Sequence, residues 1–175
     1  MKYYEALGIE PALALDAGEL KNRFYERSRQ WHPDRFTRAS AAEQEQALEM
    51  TAVLNDAFRT LRDPISRAEY FLKERGLELS KDAPAELLEE VFELNMALEE
   101  LRSGDESARA SLEQAREKFG GMLAEANTEL EALFVKQDAE PASSLDPIRA
   151  MLNRRRYIAN LVRDVEKELH VHLAN

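Results

Sequence analysis

Arg29-Gln30-Trp31-His32-Pro33-Asp34-Arg35-Phe36 lies between two stretches of helical hydrophobic spacing. Proline at 33 fixes its own φ, removes a backbone donor and pushes His32 out of helical geometry. A helix arriving from the N-terminal side must therefore end at His32. The imidazole of His32 and the carboxylate of Asp34 are left on an exposed loop. A second helix leaves the break, and so short a connection predicts that the two lie antiparallel.

The helix leading in carries agreeing start signals. Asp16 is a natural N-cap, Glu19 completes a capping box, and Leu15 with Leu20 forms a hydrophobic staple. Leu20, Phe24, Ser28 and Trp31 make one stripe, while Lys21, Arg23, Arg27 and Arg29 crowd the remaining surface. Upstream, Tyr3 to Ile9 predicts a short helix with Tyr4 and Leu7 inward, closed by Gly8 and Pro11. Downstream, Arg35 to Ala39 is expected to be loop. Ser40 with Glu43 opens the next helix, in which Ala47, Met50, Leu54, Phe58 and Leu61 keep phase. Asp63-Pro64 restarts a helix by the N-cap and N1 rule, and Gly76 ends it.

Beyond Gly76, residues 77–83 look like a short linker. Pro84 to Arg102 predicts a helix whose apolar arc is unusually wide, from Leu87 and Leu88 through Val91, Phe92, Leu94 and Met96 to Leu101. A helix apolar on more than one side is either fully buried or serves two surfaces. Asp105 or Ser107 opens the next helix, which runs in one phase across Gly120-Gly121. A loop is expected from Lys136 to Leu145, and Asp146-Pro147 starts the last helix. No sustained alternation marks a strand, so the chain is expected to be all-α. Residues 1–76 would form one domain, and residues 84–175 an antiparallel three-helix bundle.

Composition narrows the function. The 175 residues are 44% hydrophobic, without an apolar run of the length a membrane span needs. Met1-Lys2-Tyr3-Tyr4-Glu5 lacks the pattern of a secretion signal. Zero cysteine excludes disulfides and thiolate-bound metals in this sequence and fits a cytoplasmic protein. His32, His170 and His172 are too few and scattered for a metal site, and no cofactor is expected. A net charge of −10 argues against a general nucleic-acid binder. That charge is uneven: through Gly76 there are 12 basic and 13 acidic residues, and from Leu77 on 12 and 21. Unequal halves suggest different partners. The triplet Arg154-Arg155-Arg156 then fits a solvated helix face better than a nucleic-acid site.

His32 and Asp34 invite a base-and-acid reading, but their side chains leave a bent backbone in different directions. No serine, cysteine or glycine-rich loop supplies the remaining parts of an active site. No catalytic residue is assigned, and the protein is not expected to be an enzyme. Alone, His-Pro-Asp is equally a helix-ending turn.

In context it is more specific. The Tyr-Tyr-x-x-Leu-Gly start, the basic helix before His32-Pro33-Asp34, and Leu61-Arg62-Asp63-Pro64 with Arg67 and Tyr70 after it together resemble the J-domain of DnaJ-type co-chaperones, over about residues 1 to 75. Direct continuation into an acidic bundle, with no glycine-phenylalanine linker and no cysteine repeat, resembles the HscB (Jac-type) co-chaperones of iron–sulfur cluster assembly. The resemblance implies an L-shaped molecule. It implies that His32, Pro33 and Asp34, with Lys21, Arg23, Arg27, Arg29 and Arg35, dock on a DnaK-type (HscA-like) ATPase and stimulate it. It implies that Leu88, Phe92, Glu93 and Met96, with Tyr157, bind an iron–sulfur scaffold protein (IscU-like).

Leu88, Phe92 and Met96 are spaced four apart and share a helix face, which suits a docking row. Each would serve equally as core. Arg27 stands where the J-domain pattern has an apolar residue, and Glu89, Asn95 and Met96 depart from the bundle pattern. The competing reading is a general DnaK co-chaperone whose bundle is a structural or oligomerising arm.

Overall fold

The computed structural model describes residues 1–173, with side chains through His170. His172 therefore lies outside the described side chains. The helices are α1 (Lys2–Leu7), α2 (Ala17–Trp31), α3 (Ala41–Leu61), α4 (Pro64–Lys73), α5 (Leu88–Arg102), α6 (Ala108–Ala139) and α7 (Asp146–Leu173). Among the described residues there is no strand. The chain divides into two compact units. One comprises residues 1–78 with 134–143, the other residues 79–133 with 144–175.

In the first unit, α2 and α3 form the antiparallel hairpin that the break at Pro33 requires. Phe24 stacks on Phe58 with ring centroids 4.3 Å apart, and Thr51 donates to the Trp31 carbonyl at 3.3 Å. As the partner on α2 advances, the partner on α3 retreats by the same seven residues. The starts are built locally. Asp16 accepts from the Glu19 N–H at 2.7 Å, and Asp63 from the Ser66 N–H at 2.7 Å. Ser40 and Glu43 complete a reciprocal capping box. α1 packs on both hairpin helices, burying Tyr4 and Leu7, and α4 closes the core with Ala68, Phe71 and Leu72.

Gly8 takes the left-handed φ of 65° that ends α1 after Leu7, two residues before the expected end. The expected loop after His32 begins with a 3-10 turn, Pro33–Phe36, and the chain from Pro84 makes a 3-10 turn, Ala85–Leu87, before α5.

The second unit is a three-helix bundle. Glu86 pairs with Arg154 at 3.2 Å and Arg102 with Glu168 at 2.9 Å, so both partners advance together and α7 runs parallel to α5. α6 runs between them in sequence, tied to α5 by Lys118–Glu90 and to α7 by a 2.6 Å bond from Arg155 to Asn127. Leu87, Leu94, Leu98 and Leu101 of the α5 segment enter the core, with Leu112 and Phe119 of α6 and Ile158, Val165 and Leu169 of α7. α6 passes through Gly120-Gly121 as one continuous helix.

One boundary departs from the expectation. Lys136 to Ala139 is helical, not loop, and residues 134–143 group with the N-terminal unit instead of the bundle. Buried Gln137 exchanges hydrogen bonds with Ser143, and Asp138 accepts from the backbone of Leu13 and Ala14. These contacts hold the last helical turn in place.

Candidate functional site

The first site is built by the break at Pro33. His32 closes α2 in extended geometry, at φ −60° and ψ 129°, and its Nδ1 accepts from the Asp34 N–H at 3.2 Å. With Nδ1 accepting, the proton of a neutral ring sits on Nε2, which is left to donate outward. The His32 and Asp34 side chains are 59% and 87% exposed, with Nδ1 3.6 Å from the carboxylate. A pair this open has no enclosed cleft in which to hold a reacting group.

Rigid parts hold the turn up. Trp31 and Phe36 stack across it at 5.9 Å with planes 6° apart, and Arg35 reaches back to the Arg29 carbonyl at 3.3 Å. Lys21, Arg23 and Arg29 are exposed along α2, with Arg23 only loosely paired to Glu26 at 3.9 Å. Arg27 is placed differently. It is half-buried, with its guanidinium over Gly8 at the end of α1, so close that a Cβ there would come within 2.5 Å of Nη2. The cation thus meets the carbonyl end of α1, where the helix dipole favours it. The half-buried Arg27 thus rests against α1 at Gly8.

Tyr25 was not singled out by the sequence pattern. It is 50% exposed on the basic face of α2 and lines a shallow, largely apolar depression with Ser28, Arg29, His32 and Arg35. Its signal was phase: an aromatic among cations, off the Leu20–Phe24–Ser28–Trp31 stripe.

The second site lies on α5. Leu88, Phe92 and Met96 are 55%, 66% and 50% exposed, a single row on the side turned away from the core. Leu94, about 200° round the helix from both Phe92 and Met96, carries the core side instead. Glu93 is exposed beside the row. Tyr157 is only half-buried and packs against the bundle core. Two arginines of the basic triplet reach across to other elements of the bundle: Arg154 meets Glu86 and Arg155 meets Asn127.

Comparison with known proteins agrees with both halves. Residues 2–70 match the DnaJ domain model, and residues 83–166 match that of the HSCB C-terminal oligomerisation domain. A co-chaperone protein HscB homolog of Shewanella baltica (strain OS223) is 34% identical over 81% of this chain and 83% of its own. One from Vibrio vulnificus (strain YJ016) is 33% identical over 95% of each chain. Among solved structures, the chaperone HscB from Vibrio cholerae superposes with a TM-score of 0.64 at 29% identity, covering 95% of this chain and 96% of that one. Human co-chaperone protein HscB, at 24% identity and a TM-score of 0.66, shares the fold over 96% of this chain and 82% of its own. With the J-domain hairpin, its His-Pro-Asp turn and the acidic bundle all present, the chain belongs to the HscB family of J-domain co-chaperones.

Proposed function

We propose that this protein acts in iron–sulfur cluster assembly by bringing an IscU-like scaffold protein to a specialised DnaK-type (HscA-like) ATPase and stimulating that ATPase. The carrying observation is the presence, in one chain, of two exposed surfaces of opposite chemistry. One is a basic helix ending in a His-Pro-Asp turn; the other is an apolar row on an acidic bundle. The basic helix suits an acidic partner surface, since local positive charge steers encounter. Lys21, Arg23, Arg29 and Arg35, with Arg27 beside Gly8, would supply that charge, and His32, Pro33 and Asp34 the contact tip. Leu88, Phe92 and Met96, with Glu93, would form the scaffold contact, and Tyr157 would support it from α7. Joining the two bindings in one chain raises the effective concentration of scaffold at the chaperone without new contacts. The hydrolytic chemistry then belongs to the partner, and the setting is cytoplasmic.

The test is the ATPase rate of the purified chaperone with this protein, with and without scaffold. His32→Gln should abolish stimulation and leave scaffold binding intact. Phe92→Ala with Met96→Ala should abolish scaffold binding and leave basal stimulation intact. Absence of scaffold binding by the folded wild-type protein overturns the reading. If the apolar row instead joins copies of this chain, the double variant will change the mass measured by light scattering with no scaffold present.

A further inference from the structure

The apolar row on α5 does not end at a flat surface. Met96 and Glu93 also line an open groove of about 450 Å³ between α5 and α6. Its floor is apolar, made by Leu94, Ala97, Ala115 and Phe119, and its rim carries Glu90, Glu93, Glu100 and Lys118. The Lys118 ammonium is committed to Glu90 at 3.7 Å, an ion pair lying across the groove from α6 to α5. Glu93 and Glu100 are exposed and supply two further negative charges on the same rim.

We infer that the groove receives a lysine or arginine side chain from the protein segment that lies along Leu88, Phe92 and Met96, and that Lys118 competes with it. The chemistry selects this occupant. An aliphatic stem with a cationic head covers an apolar floor while keeping its charge at the rim. A fatty or aromatic group would leave the carboxylates desolvated, which is costly. An anion would meet three carboxylates. A divalent cation lacks a cage, because among the described residues no three histidine or carboxylate side chains converge to hold one. Continuity matters as well: Met96 belongs to both the row and the groove, and Glu93 lies beside the row and lines the groove, so one docked segment reaches both. Lys118 already occupies the cationic place, so an incoming cation must share Glu90 with it or displace it. Lys118, on the middle helix of the bundle, thus weakens the contact and sets its preference for segments rich enough in positive charge to displace it.

The inference rests on the scaffold-binding reading above, and one experiment separates the two. The affinity of the full-length protein for purified IscU-like scaffold is measured calorimetrically at low and high salt, for wild type, Lys118→Gln, Glu93→Gln with Glu100→Gln, and Phe92→Ala. Lys118→Gln is expected to tighten binding about fivefold, and the double glutamine variant to weaken it about tenfold, both effects shrinking as salt screens the rim. Circular dichroism checks that each variant keeps its helices. If Phe92→Ala abolishes binding while the rim variants stay within about twofold of wild type, the groove inference fails and the scaffold reading stands. Weaker binding by Lys118→Gln also overturns it, since Lys118 would then be a contact. If wild type binds no scaffold, the scaffold reading fails and the groove's occupant goes with it. Rim-dependent self-association, seen by light scattering without scaffold, would assign the groove to a second copy and overturn the inference.

Discussion

Asp138 accepts the backbone N–H of Leu13 at 2.9 Å through one carboxylate oxygen, although 125 residues separate them. The other oxygen accepts the same N–H at 3.1 Å and that of Ala14 at 2.7 Å. From below, buried Arg67 donates Nε to the Leu13 carbonyl at 2.7 Å and Nη1 to the Leu61 carbonyl at 2.8 Å. The fully buried Leu13 residue is thus held at both of its backbone groups, by an anion on its N–H and a cation on its carbonyl. The loop between α1 and α2 is set by a residue near the end of α6.

Asp138→Ala should therefore destabilise the N-terminal unit. It leaves the Leu13 N–H without its partner in a buried position, a loss of about 1–3 kcal/mol. Asp138→Asn, which keeps an acceptor oxygen, should cost less. Urea unfolding followed by Trp31 fluorescence reports this unit, because Trp31 is the chain's single tryptophan. Equal stability of the alanine variant and wild type would show that the bond contributes nothing.

Two kinds of glycine should respond oppositely to alanine. Gly8 has φ 65°, and an added Cβ would meet the Arg27 guanidinium at 2.5 Å. Gly8→Ala is expected to cost about 1–2 kcal/mol from the left-handed backbone alone. In an Arg27→Ala background only that backbone part remains. Gly120 and Gly121 lie in the interior of α6, with nothing within 4 Å of a built Cβ. Alanine at either should stabilise by about 0.5–1 kcal/mol by removing glycine's freedom in the unfolded chain. Thermal melts of the single variants decide both signs.

What could be read from sequence was what is local. Asp16, Ser40 and Asp63 cap the helices they precede, because a cap needs only an acceptor and a donor three residues on. Pro33 ends α2 for an equally local reason. The Leu13–Asp138 bond had no local signal, and neither did the helical turn at Lys136 to Ala139, which tertiary partners hold. The α5 arc was legible as unusually wide, but periodicity cannot say which side of it meets a neighbour. Leu94 faces inward and Phe92 outward because α6 and α7 pack on one side only. Arg27 was visible as an anomaly; its resting place over Gly8 needed α1 in three dimensions.

The capping box of α3 should be sensitive to acid. The Glu43 carboxylate accepts from the Ser40 hydroxyl at 2.7 Å and the Ser40 N–H at 2.9 Å. The hydroxyl first, then the N–H, hold its pKa below the ordinary 4.5. A carboxyl whose folded pKa is depressed adds stability above its unfolded value, and this is lost as pH falls through the folded value. The stability difference between wild type and Ser40→Ala should therefore be full at neutral pH and shrink below about pH 4.5. A pH-independent part remains, from the Ser40 hydroxyl accepting the Glu43 N–H at 3.3 Å. Urea titrations between about pH 3 and pH 7 measure this. A difference that stays constant across that range would show that Glu43 is not the titrating partner.

The two faces of α5 offer the sharpest contrast between a stability residue and a surface residue. Leu94 is 3% exposed within the bundle core, whereas Phe92 is 66% exposed two positions earlier. Leu94→Ala removes buried methyl groups and leaves a void, at a cost of about 2–5 kcal/mol. Phe92→Ala removes more carbon, yet most of it lies in water already, so its cost should stay within about 0.5 kcal/mol. The same reasoning covers Met96→Ala. Chemical unfolding followed by far-ultraviolet circular dichroism compares the three. If Phe92→Ala destabilises as much as Leu94→Ala, the row is packed in solution and Phe92 belongs to the core. If stability holds, any loss of scaffold binding by Phe92→Ala reports the surface itself. An aromatic at an exposed position, where it adds little to stability, then has its use in what it touches outside the chain.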